Sequence, residues 1–84
     1  MKTVTVYGND TCPYCGAVRM LLTKKGIRFE DIAINKDADK RAEMERRSGQ
    51  NSVPQIFVGD EHIGGFDDLY ECDKSGQLDK LLAD

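Results

Sequence analysis

Thr11-Cys12-Pro13-Tyr14-Cys15 is the stretch on which the reading of this chain turns. Two cysteines stand three positions apart, and a proline directly follows the first. Proline is favoured at the first helical position, because its missing N–H would be unpaired there in any case. A helix therefore begins at Pro13, with Cys12 as N-cap and Cys15 in the first turn. Residues three apart share a helix face, so the two sulfurs can approach. The helix N-terminus offers unpaired N–H groups and a partial positive charge. Both stabilise a thiolate, the nucleophile in disulfide exchange. Cys12, at the tip, is the expected attacking sulfur, and Cys15 the resolving one.

Upstream, Thr3-Val4-Thr5-Val6-Tyr7 alternates, is β-branched or aromatic throughout, and reads as a strand. Residues 8–11 are a short loop. Downstream, Tyr14, Val18, Leu21 and Leu22 keep helical spacing. Lys24 and Lys25 suit the negative end of that helix, and Gly26 is its natural stop. Residues 27–34 form a second strand. Ile27 and Phe29 point one way, while Ile32 and Ile34 fall out of phase with them. A bulge, or burial on both faces, accounts for this. Strand, helix and strand in this order make a parallel, right-handed βαβ unit.

Asp37 is the expected N-cap of a polar helix over residues 38–47. Only Ala38, Ala42 and Met44 offer it much core contact, and Glu43 can pair with Arg47 one turn on. Gly49 ends it. Beyond the polar loop 48–52 and Val53-Pro54, residues 55–58 read as a third strand. Gly59-Asp60 is a two-residue hairpin signal, and residues 61–63 return as a fourth, antiparallel strand. Gly64-Gly65 breaks that strand. Asp67 can cap a short helix through Leu69, Tyr70 and Cys72, and Leu78, Leu81 and Leu82 form a last amphipathic turn. The fold class is therefore α/β. The order is βαβαββα plus a short C-terminal helix, giving a four-stranded mixed sheet flanked by helices in one domain over residues 1–84.

Twelve basic residues against fifteen acidic ones leave a formal charge of -3. That balance provides no electrostatic footprint for nucleic acid. Lys2 is not followed by an apolar signal-peptide core, and no apolar run approaches the roughly 20 residues of a membrane span. Three cysteines are an odd number. This argues against a secreted disulfide framework and points to a reducing compartment, the cytoplasm. There a CxxC pair is redox-active or metal-binding. Structural zinc needs four ligands. Cys12, Cys15, His62 and Cys72 would exhaust the supply at a spacing that fits no common zinc motif, so redox chemistry is favoured and no metal is expected. Cys72 reads as a small core residue and His62 as a solvated residue on an edge strand. Lys40-Arg41 and Arg46-Arg47 read as a solvated helix face.

Elements in this order, with CPYC after the first strand, resemble glutaredoxin, a family of the thioredoxin-fold superfamily. Three segments carry the resemblance: Cys12-Pro13-Tyr14-Cys15, Ser52-Val53-Pro54-Gln55 and Gly64-Gly65-Phe66-Asp67-Asp68. The match spans almost the whole chain and is most similar to the short bacterial dithiol type. The absence of Trp separates it from thioredoxin, which usually has Trp before its CxxC. The resemblance implies a thioredoxin-like fold. It also implies a glutathione-dependent enzyme that reduces protein disulfides and glutathione mixed disulfides. Glutathione is then a co-substrate, with no cofactor permanently bound.

By the same resemblance, Val53 pairs its backbone with the cysteinyl unit of glutathione and Pro54 is cis. Phe66, Asp67 and Asp68 receive the γ-glutamyl end, and Tyr14 flanks the tripeptide. Relatives often carry a lysine shortly before the first cysteine and a basic residue just before the second segment. Here those positions are Asn9 and Asn51, and Asp10 adds a negative charge. Cys12 is therefore expected to rely on the helix end and neighbouring N–H groups. The partners implied are glutathione and disulfide-containing or glutathionylated proteins, with ribonucleotide reductase suggested by analogy. A cytoplasmic monomer is expected, with no nucleic acid and no membrane. Two other readings are a glutaredoxin-like redoxin reduced by thioredoxin reductase and an iron–sulfur cluster carrier. The latter usually has a single active-site cysteine in a CGFS sequence, so Pro13 and Cys15 count against it.

Overall fold

The computed structural model describes residues 2–83. Its elements are β1 (Val4–Gly8), α1 (Pro13–Lys24), β2 (Phe29–Ala33), α2 (Ala38–Ser48), β3 (Gln55–Val58), β4 (Glu61–Gly64), α3 (Phe66–Lys74) and α4 (Gln77–Leu82). The strands form one mixed sheet in the order β2-β1-β3-β4. β1 and β2 are parallel, β3 runs against β1, and β4 runs against β3. This is the expected four-stranded sheet and connectivity.

The strand directions position the site. Because β3 is antiparallel to β1, Gln55 at its start stands opposite Tyr7 near the end of β1. Because β4 is antiparallel to β3, Gly64 at its end stands opposite Ile56. The end of β1, the start of β3 and the end of β4 therefore lie at one end of the sheet. Chain segments leaving those ends carry Cys12, Val53-Pro54 and Phe66 to Asp68.

Helices cover both faces. Val4, Val6, Ile56 and Val58 pack with Val18 and Leu22 of α1, Leu69 of α3, and Leu78 and Leu82 of α4. Tyr7 and Phe57 point to the other face and pack with Ile34 and Met44. Burying a Val, Leu or Phe side chain fully is worth about 1.5–3 kcal/mol, so these two layers supply most of the drive to fold. They also settle the phase change in residues 27–34. β2 keeps an unbroken register along β1, from Val4–Phe29 to Gly8–Ala33. There is no bulge. Ile27 and Phe29 pack with the first layer, and Ile32 and Ile34 with the second, because odd and even positions of a strand face opposite ways.

The helix ends follow local chemistry. Asp37 Oδ1 accepts from the N–H groups of Asp39 and Lys40 at 3.1 and 3.2 Å, and Gly49 closes α2 in the left-handed region at φ 71°. Several side-chain expectations change. α2 buries Met44 alone, and Ala38 and Ala42 are exposed. Glu43 does not pair directly with Arg47. The Tyr7 hydroxyl comes between them, donating to Glu43 and accepting from Arg47 Nη1. Nor is Arg47 simply solvated. Its guanidinium lies 4.1 Å from the Phe57 ring centre, because α2 crosses the face where Tyr7 and Phe57 emerge.

His62, unlike the exposed Arg47, is half-buried, and it stacks on Phe57, its cross-strand partner, at 4.9 Å. Asp67 does not cap α3. Gly65 is the N-cap, and Asp68 Oδ2 accepts its N–H at 3.0 Å. This is the reciprocal half of a capping box, since Gly65 has no side chain to supply the other half. Gly64 makes the approach possible: at φ +119°, a Cβ there would stand 2.3 Å from Asp68 Oδ2. Cys72 is partly buried against the first layer, as a small core residue should be. Among the described residues no helix is long and apolar enough to cross a membrane. Among the same residues no three His, Cys, Asp or Glu side chains are grouped to hold a metal ion.

Candidate active site

Cys12 caps α1. Its backbone is extended (φ -81°, ψ 121°), Pro13 begins the helix, and its sulfur accepts the Cys15 N–H at 3.4 Å. Cys12 is partly accessible, whereas Cys15 is fully buried. The Cys15 sulfur accepts the Asn9 N–H at 3.4 Å. It also lies against Gly8, where a Cβ would come within 3.1 Å of it. The bare backbone at Gly8 leaves the room that the inner sulfur occupies.

The two thiols are split electrostatically. Burial opposes ionisation of Cys12. It is outweighed by hydrogen bonds from the Cys15 thiol and from the N–H groups of Cys15 and Tyr14, with the charge of Arg19 adding to them, so its pKa falls below the ordinary thiol value. Cys15 moves the other way. Burial, and then the hydrogen bond its thiol gives to Cys12, push it up to about 11. One sulfur is thus prepared as a thiolate and the other stays protonated as its donor.

Arg19 was not anticipated. It follows Cys15 by four positions and so shares its helix face, which was the signal available. Its Nη2 would stand 3.2 Å from a Cβ on Gly8, and Asp31 holds its Nε at 2.9 Å. Asp10 pairs with Lys36 at 3.0 Å, and that hydrogen bond keeps its carboxyl below the usual carboxylate range.

The Val53–Pro54 peptide bond is cis. The Val53 carbonyl oxygen lies 4.0 Å from the Cys12 sulfur. Beside them opens a groove of about 340 Å³, bordered by Tyr14, Val53, Pro54, Phe66, Asp67 and Asp68. These are the six residues other than cysteine singled out from the sequence, and the volume suits a small ligand. The Phe66 ring stands between Tyr14 and Tyr70, at 6.2 and 6.1 Å between ring centres, and makes an aromatic wall. The N-terminus of α3 faces the same space. Its first helical bond runs from the Leu69 N–H to the Gly65 carbonyl, so the N–H groups of Phe66, Asp67 and Asp68 precede the helical ladder.

Gln50, Ser52 and Gln55 also line the groove; Ser52 and Gln55 flank Val53-Pro54 within the second segment but carry no role in the sequence analysis, and Gln50 lies two residues before Ser52. Asn51 lies on an adjoining, more open depression of about 600 Å³ with Glu45 and Gly49, which shares Gln50 and Ser52 with the groove. Asn9 does not border the groove. Its Oδ1 accepts the N–H and the hydroxyl of Thr11, each at 3.1 Å, and so shapes the turn before Cys12.

The glutaredoxin family model matches residues 4–63. The chain is 50% identical over 82 residues to Glutaredoxin 3 of Escherichia coli strain K12, covering 98% of this chain and 99% of that protein. Among solved structures it is similar to a buckwheat glutaredoxin–glutathione complex, with TM-score 0.85 and 32% identity over 94% of this chain and 74% of that one. It is similar also to the dithiolic glutaredoxin 2-C-Grx1 of Trypanosoma brucei brucei, with TM-score 0.85 and 33% identity over 98% of this chain and 88% of that one.

Proposed function

The chain belongs to the glutaredoxin family of thiol–disulfide oxidoreductases, and on that premise we propose that glutathione is its co-substrate. Its substrates are then glutathionylated proteins and protein disulfides, with ribonucleotide reductase a candidate, met in the reducing cytoplasm. The observation that carries this reading is the convergence of Cys12 with the groove bordered by Tyr14, Val53, Pro54, Phe66, Asp67 and Asp68.

The Cys12 thiolate attacks the glutathionyl sulfur of a protein mixed disulfide. The substrate sulfur leaves as a thiolate and takes a proton, while Cys12 becomes joined to glutathione. A second glutathione thiolate attacks the glutathionyl sulfur, releasing the Cys12 thiolate and glutathione disulfide. For each mixed disulfide reduced, one free glutathione is oxidised, and the substrate's own glutathionyl group leaves as the other half of the glutathione disulfide. With a protein disulfide, the Cys12 thiolate attacks one substrate sulfur, the other leaves as a thiolate and takes a proton, and Cys12 is joined to the substrate. Cys15 then gives up its proton and attacks the Cys12 sulfur, expelling the second substrate thiolate. The Cys12–Cys15 disulfide that results is reduced by glutathione.

In this reading the backbone of Val53 pairs with the cysteinyl unit of the tripeptide, as an edge strand pairs an extended ligand. Pro54, Tyr14 and Phe66 flank it. The γ-glutamyl carboxylate meets the N–H groups that open α3. Its α-ammonium meets Asp67, and Asp68 holds the Gly65 cap against the ligand.

The test compares turnover of a glutathionylated peptide with that of the same peptide cysteinylated, using glutathione and glutathione reductase, beside a parallel assay with thioredoxin reductase. A strong preference for the glutathionylated peptide and turnover with glutathione are expected. Activity with thioredoxin reductase alone, or equal rates on both peptides, overturns the proposal.

A further inference from the structure

Gln55 is the one fully buried polar side chain among the described residues, 2% exposed. Its neighbours on β3, Ile56, Phe57 and Val58, are apolar, as a buried strand requires. A buried amide is costly unless its donors and acceptor are paired, and here they are. Nε2 donates to the Ser52 carbonyl at 3.1 Å, to the Ser52 hydroxyl at 3.3 Å and to Gln50 Oε1 at 3.1 Å. Oε1 meets His62 Nε2 at 2.8 Å. The Ser52 carbonyl can only accept, so the amide NH₂ faces the loop and the amide oxygen faces His62. His62 Nε2 therefore carries the hydrogen.

His62 is itself held. It stacks on Phe57 at 4.9 Å. The register shift between Ile56 and Phe57 sets it opposite Phe57 while Gly64 faces Ile56, and such shifts re-aim side chains. At the other end of this chain of bonds, Gln50 and Ser52 line the groove beside Val53.

We propose that His62 and Gln55 form a clamp that holds residues 50–54 in the shape the groove needs, and so set how tightly it takes a glutathionyl group. Both are positioning residues. They act through the backbone and side chains of the loop, not on the sulfurs. The inference rests on the glutathione reading given above.

His62→Phe keeps a ring on Phe57 but removes the donor, leaving Gln55 Oε1 buried without a partner. His62→Gln keeps a side-chain N–H. The first readout is the backbone order parameters of residues 50–53 in the ligand-free reduced protein. They are expected near 0.85 in the wild type and below about 0.6 in His62→Phe. The second is steady-state kinetics on a glutathionylated peptide. KM is expected to rise about fivefold, the effect of one neutral hydrogen bond, while kcat and the thiolate titration of Cys12 stay at wild-type values. His62→Gln should lie near the wild type in both readouts.

Unchanged order parameters in His62→Phe, a loop already mobile in the wild type, a loss confined to kcat, or equal damage in His62→Gln would each overturn the clamp. Should His62→Phe fail to fold, Gln50→Ala at an exposed position removes one partner of the same amide. Lower order parameters at Ser52 and Val53 are expected there, and no change overturns the clamp. If the wild type shows no preference for the glutathionylated peptide, it is the glutathione reading that fails, and the order parameters then judge the clamp alone.

Discussion

The sulfur of Cys12 stands 4.0 Å from the carbonyl oxygen of Val53, a residue 41 positions further along the chain. The antiparallel pairing of β1 and β3 produces this meeting, because it sets the exit of one strand beside the entry of the other. Val53 precedes β3 and stands outside its ladder. A sulfur prepared as a thiolate thus faces a stretch of backbone that an extended ligand can pair.

The division of labour between the sulfurs is testable by substitution. Cys12→Ser should abolish reduction of both glutathionylated peptides and protein disulfides. Cys15→Ser should keep the first activity and lose the intramolecular route to the second. Loss of both activities in Cys15→Ser would contradict the assigned roles.

Cys15 also acts as a donor to Cys12, and this separates two variants. Cys15→Ala removes the donor and should raise the Cys12 pKa. Cys15→Ser keeps an O–H and should raise it less. Thiolate absorbance followed against pH measures both, and identical midpoints in the two variants would show that the side-chain bond contributes nothing.

The opposed thiol shifts make the stability of the reduced protein depend on pH in two directions. Cys12 ionises at lower pH folded than unfolded, so its contribution grows as pH rises towards the ordinary thiol value of 9.0 and persists above it. Cys15 has a folded value of about 11. Its contribution is complete below the unfolded value and is lost as pH rises through about 11, by at most about 2–3 kcal/mol. Denaturant midpoints of the reduced protein should therefore fall between pH 9.0 and 11, and Cys15→Ala should flatten that fall.

Asn9→Lys should lower the Cys12 pKa and tighten glutathione binding, because it adds a cation before the thiolate. The same change removes the acceptor of two bonds from Thr11 and should cost about 0.5–1.5 kcal/mol of stability. Thiolate titration and thermal denaturation read the two effects separately. An unmoved titration would show that charge at this position does not reach the sulfur.

Gly64 and Gly65 should differ sharply. Gly64→Ala places a Cβ 2.3 Å from Asp68 Oδ2 at φ +119°. It should cost about 1–3 kcal/mol and raise KM for a glutathionylated peptide by moving the start of α3. Gly65→Ala meets nothing closer than the Pro54 carbonyl at 3.6 Å and should be mild. Denaturation curves and steady-state kinetics on both variants check the contrast.

Much of this could be read from local chemistry. Pro13 after Cys12 placed the helix start, Asp37 and Gly49 bounded α2, and Gly59-Asp60 placed the hairpin, because each acts through bonds within a few residues. The same locality misled at Asp67. Either an aspartate or a glycine can open a helix, and the left-handed Gly64, by admitting Asp68, selected Gly65. Arg47 reads as solvated because it stands on a charged helix face, and His62 because it stands on an edge strand. Arg47 is exposed but lays its guanidinium on Phe57, and His62 is half-buried on the same ring, because Phe57 emerges on the sheet face that both reach.

By itself the sequence determined the order of the elements, the thiol pair with its helix cap, and six residues that border the groove beside Cys12. Only the tertiary structure decided that Cys15 would be buried beneath Gly8 and that Arg19 would reach the thiol pair. Only it placed Gln55 and His62 where they could brace the loop before Pro54. Hydrogen bonds at helix ends and turns are short-range and leave marks in neighbouring residues. Burial, and the bonds it makes necessary, depend on which distant strands lie side by side.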